Sequence, residues 1–120
     1  LSNIYELDYW FDRERSAQIF NGPPNSAACP IIKIKVICNL YFPDLKKEVT
    51  DLNIATLKYK KWISNCTVEK HTSIISGAEI NFTDDTHIMS MLKSVEELSQ
   101  KSSALETKVV SLMNEILNIQ

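Results

Sequence analysis

From Ile88 onward the chain carries an apolar repeat whose spacings alternate three and four without a break. With Ile88 at position a, the a positions are Ile88, Val95, Ser102, Val109 and Ile116, and the d positions are Met91, Leu98, Leu105, Leu112 and Ile119. Nine of these ten are apolar; Ser102 alone is polar. A 3.5-residue period held this long demands a helix whose narrow seam faces another helix, because a helix lying on its own domain drifts at 3.6 residues per turn and needs a wider stripe. The start is written as well. Thr83 or Asp84 can accept from the first free amides, and Asp84 and Asp85 oppose the positive end of the macrodipole.

The choice of side chains specifies the expected assembly. β-Branched residues at four of five a positions, with Leu at three of five d positions, favour two parallel strands, and Lys101 at g reaches Glu106 at e of a second copy. A parallel homodimer is the expected partner arrangement, with these ten residues as the oligomerisation seam. Leu92 and Met113 at e, and Val110 and Leu117 at b, widen the apolar face and leave room for one more helix, from a third copy, another protein or a missing part of this one.

Upstream, residues 1–83 are expected to form a small α+β head, with residues 84–120 the oligomerisation helix. About 85 residues is a size at which one core is marginal, so the head is expected to lean on the dimer. Ile4, Leu7, Trp10, Phe11, Ala17 and Phe20 have helical spacing, and Asn21-Gly22-Pro23-Pro24-Asn25 breaks the helix into a loop. The run Ile31 to Phe42 is dense in β-branched and aromatic residues, and Lys33 and Lys35 alternate with apolar neighbours, which predicts a strand. Pro43 ends it, and Asp44 to Asp51 reads as a short polar turn or helix. Further strands are predicted at Ile54 to Ile63, Cys66 to Lys70 and Ala78 to Phe82, with a Ser76-Gly77 turn between the last two. The expected architecture is a helix plus an antiparallel sheet, followed by a parallel coiled coil.

Chemistry finds little footing. His71 and His87 lack metal-ligand spacing, Cys29, Cys38 and Cys66 match neither a zinc knuckle nor a CxxC pair, and the two glycines, Gly22 and Gly77, make no phosphate loop. No enzyme, metal or cofactor is expected. The three cysteines are an odd set, best read as free thiols, and with no leader segment they favour a reducing compartment, nucleus or cytoplasm. Two sequons, Asn65-Cys66-Thr67 and Asn81-Phe82-Thr83, would instead suit a secreted or viral surface protein. The start at Leu1 and the end at Gln120 inside a helical pattern read as a fragment. No stretch has the roughly 18 apolar residues that would span a bilayer, and no membrane partner is expected.

Between residues 33 and 70, eight lysines stand against four acidic residues. Lys33, Lys35, Lys58, Lys60 and Lys61, with Trp62 interleaved, form the candidate partner-binding face. The leading functional expectation is a non-enzymatic scaffold or adaptor that pairs two heads for binding a protein partner, as heads on parallel rods do in chromosome, centriole and DNA-repair assemblies. The alternatives are a nucleic-acid-binding dimer using the lysine face, and an extracellular or viral attachment stalk.

Overall fold

The computed structural model describes residues 2–77, 80 and 82–119, with the backbone only for residues 2 and 119. Four helices follow in order, α1 (Ser2–Ile19), α2 (Ile31–Tyr41), α3 (Lys46–Ser76) and α4 (Asp85–Ile119), with a 3₁₀ turn at Pro43–Leu45 leading into α3. The body measures 65 × 27 × 18 Å.

The core is organised by α3 and α4, which lie antiparallel. Their register is fixed along its length by the Glu48–Lys108 pair at 3.9 Å, Lys58–Glu97 at 3.0 Å, the Trp62 indole N–H donating to Ser90 Oγ at 2.8 Å, and Glu69 with His87 at 3.0 Å. α3 turns Val49, Leu52, Thr56, Tyr59, Ile63 and Cys66 inward, again three and four residues apart, so the two helices present matching seams. α4 answers with Leu98, Ser102, Leu105 and Val109. Gly77 ends α3 in the left-handed region, at φ 74°, where a residue with a Cβ is strained. Asp84 starts α4 by accepting the His87 amide at 2.8 Å.

α1 lies across this hairpin and buries Ile4, Leu7, Trp10, Phe11 and Ile19. Phe11 stacks on Tyr59 at 4.5 Å between centroids, and Trp10 and Trp62 meet the pair edge-on. The buried Tyr59 hydroxyl accepts from Arg15, and Tyr5 donates to Glu106 of α4 at 2.6 Å. The proline loop is held back against α1, where the Trp10 indole N–H donates to the Ala27 carbonyl at 2.8 Å. α2 packs through Ile31, Ile34 and Cys38, one helical face.

The expected helix-plus-antiparallel-sheet head does not exist among the described residues, where all regular structure is helical. The α+β class is therefore replaced by an all-helical one. The run Ile31 to Phe42 is α2, because apolar side chains at almost every position satisfy a period of 3.6 as readily as one of two, and burial of Ile31, Ile34 and Cys38 decides. The predicted strands at Ile54 to Ile63 and Cys66 to Lys70 are consecutive parts of α3. In the predicted strand Ala78 to Phe82, residues 78, 79 and 81 lie outside the described residues.

Candidate functional site

The lysines singled out in the sequence do not converge on one face. On a helix, neighbours two residues apart point to nearly opposite sides. Lys58 accordingly turns toward α4 and pairs with Glu97, whereas Lys60 lies 5.6 Å over the Trp10 ring of α1 and Lys61 stays exposed. Trp62 is half-buried, its indole engaged with Ser90. Lys33 and Lys35 are exposed on α2.

The ten seam residues fall into three groups. Leu98, Ser102, Leu105 and Val109 are buried, and Val95 and Leu112 pack half-buried on the same core. Met91 is half-buried, while Ile88 and Ile116 are exposed. The side chain of Ile119 lies outside the described residues. Thus the central seam is occupied by α3 of the same chain. The far end is different: Ile116 lies about three turns beyond Leu105 and five beyond Leu98 on the same line of the helix, yet it is 53% exposed where they are 0% and 2%. α3 begins at Lys46, and its Glu48 already reaches only to Lys108. Past Leu112, α4 has outrun its cover, and Met113, Ile116 and Leu117 stand exposed beside Val110.

A second uncovered apolar surface lies on α2. Ile32, Val36 and Leu40 follow one another at four-residue spacing on the side opposite Ile31, Ile34 and Cys38, with Ile37 and Tyr41 flanking, and all five are exposed. A surface helix ordinarily turns charge to water, whereas α2 is apolar on both sides. Lys33 and Lys35 are its only charged residues. It is the inner side of α2 that meets α4: Ile34, Ile37 and Cys38 share a groove of about 80 Å³ with Leu105 and Val109 of α4 and Ile4 of α1.

Two larger grooves open along α1. One, of about 440 Å³, is lined by Trp10, Glu14, Lys60, Ile63, Thr67 and Val68; the other, of about 430 Å³, by Tyr9, Arg13, Cys29, Pro30, Ile32 and Lys33. Cys38 and Cys66 are buried free thiols, and burial pushes the Cys66 thiol up to about 11, which makes it a poor nucleophile near neutrality. Among the described residues no group of three or more His, Cys, Asp or Glu could hold a metal ion, and no helix is long and apolar enough to cross a membrane.

The uncovered apolar surface that sequence reasoning missed is the outer face of α2. Its signal was present, since Ile32, Val36 and Leu40 keep a four-residue interval inside a run otherwise read with a period of two. Comparisons with family models, with curated proteins and with solved structures found no match for the chain.

Proposed function

We propose that the protein is a non-enzymatic scaffold or adaptor, a helical body that joins other protein chains through apolar helix faces left uncovered on its surface. The observation that carries this reading is the α2 stripe of Ile32, Val36 and Leu40, exposed on the side opposite the helix's own buried face. Exposed leucines and isoleucines scattered singly need no partner, but a contiguous row on a helix that lacks any acidic residue does. Helix-in-groove or helix-on-helix docking is the recognition mode such a row serves. The lysines support nucleic-acid binding less, because Lys58 and Lys60 are engaged within the chain.

The test is cross-linking of the tagged chain in cells, with complexes resolved by mass. Ile32→Lys combined with Leu40→Lys should remove the cross-linked complexes while leaving the circular-dichroism spectrum and the melting temperature unchanged. Complexes of the same mass and abundance in the variant would refute the reading.

A further inference from the structure

The exposed end of α4 is the continuation of an interface already present in the molecule. Leu98, Leu105 and Val109 are sealed against α3, and Ile116 prolongs that line into solvent with Met113 and Leu117 beside it. A seam that is dry for three turns and then open for two has lost its partner helix, not its pattern. The occupant of the missing place can be argued from size and charge.

Specific dimers bury roughly 1,200–2,000 Å². The ten residues from Val110 to Ile119 span only about 15 Å, and pairing them with their own equal falls well short of that area. A second apolar surface must take part, and the stripe Ile32–Val36–Leu40 of α2, about 12 Å long, has the matching length. The charges match also. Residues 110–119 carry Glu115 and no lysine or arginine. α2 carries Lys33 and Lys35 and no acid. Two α4 ends laid on each other would place like charges together, whereas an α4 end on α2 places opposite ones together. Within one chain neither surface covers the other, since Ile32, Val36 and Leu40 and Met113, Ile116 and Leu117 are all exposed.

We infer that the partner at these surfaces is a second copy of this chain, in a two-fold dimer where each α4 end, through Met113, Ile116 and Leu117, covers the Ile32–Val36–Leu40 face of the other copy's α2. Reciprocal use leaves neither surface open, so the assembly closes at two. This inference rests on the reading of α2 as a docking face and names its occupant.

Light scattering on the full chain should give a dimer at micromolar concentration. Leu40→Glu and Leu117→Glu, both at side chains exposed in the single chain, should each give a monomer of unchanged helicity and melting temperature. Glu115→Lys should weaken the dimer several-fold, and adding Lys33→Glu and Lys35→Glu should restore it. When differently tagged Leu117→Cys and Val36→Cys chains are mixed and oxidised, the mixed disulfide should form faster than either self-paired one. A monomer at all soluble concentrations, growth beyond two copies, or Leu117→Cys pairing with itself as fast as with Val36→Cys would each overturn the inference. If the chain is monomeric alone but Leu40→Glu still abolishes a cellular complex with a different protein, this inference fails and the docking reading of α2 stands.

Discussion

Glu69 of α3 and His87 of α4 face each other at 3.0 Å near the connected end of the hairpin, and the other ring nitrogen of His87 lies 2.8 Å from Asp84. Only the doubly protonated imidazolium can donate to both carboxylates. The hydrogen bond to Glu69, then that to Asp84, raises the His87 pKa above its ordinary 6.5, while the Phe82 ring, 5.0 Å away, packs against its edge. A pKa raised on folding means that the folded state holds the proton more tightly than the unfolded one. The resulting stabilisation is complete below 6.5 and is lost as pH rises through the higher folded value. The melting temperature should therefore fall as pH rises above about 6.5, and His87→Gln should flatten that slope. Asp84, lowered chiefly by the His87 amide, acts in the opposite sense and weakens the helix start as pH falls below 3.8. An unchanged slope in His87→Gln, measured by thermal melts across the range, would remove the clamp.

Leu105 and Ile116 share one line of α4 and should behave oppositely on truncation. Leu105→Ala leaves a cavity in the single-chain core and should cost about 2–5 kcal/mol in urea unfolding. Ile116→Ala, at an exposed site of the single chain, should change it by about 0.5 kcal/mol or less when measured on monomer. Equal losses at the two positions would contradict the intramolecular seam.

Two hydroxyls, Thr56 Oγ1 and Ser102 Oγ, are buried without a hydrogen-bond partner among the described residues. A buried polar group left unpaired costs about 1–3 kcal/mol, and replacing it by an apolar group of similar shape recovers part of that. Ser102→Ala and Thr56→Val should thus be neutral or stabilising by up to about 2 kcal/mol. A drop in the urea midpoint would show that the hydroxyls are engaged.

Gly77 has open space where a Cβ would stand, so its substitution tests backbone strain alone. Gly77→Ala should lose about 1 kcal/mol through the left-handed φ, and Gly77→Asn less, because asparagine tolerates that region. Calorimetry of the two variants should rank them in that order.

Several elements were legible in the chain before any coordinates. The α1 pattern from Ile4 to Phe20, the break at Asn21–Asn25 and the α4 start at Asp84 all stand where the residues placed them. The four-helix character was not legible, for a physical reason: Ile, Val, Thr and Tyr favour strands locally, and only tertiary burial overrides that preference. In α3 the deciding signal was Val49, Leu52, Thr56, Tyr59, Ile63 and Cys66, a helical seam hidden by cutting the segment at Asp51 and Ser64. Recognising it would have supplied α4 with a partner helix inside its own chain. Of the candidate site, the apolar residues past Leu112 were visible as a widened face, but the α2 stripe was not, since a strand assignment sends Ile32, Val36 and Leu40 to the same side as Ile34 and Cys38.

The Tyr5–Glu106 hydrogen bond joins residues 101 positions apart, and that separation has a consequence during synthesis. Helices α1 and α2 leave the ribosome before the hairpin on which they pack has been made. At about 5–20 residues per second, some 80 residues between the end of α2 and the end of α4 take roughly 4–16 s to add. Throughout that interval both apolar sides of α2 are open to solvent, a form that chaperones bind and that aggregates when they do not. Once α4 has emerged, α3 and α4 can pair through a short turn far faster than the chain grows, so the lifetime of the exposed nascent helix is set by translation and not by folding.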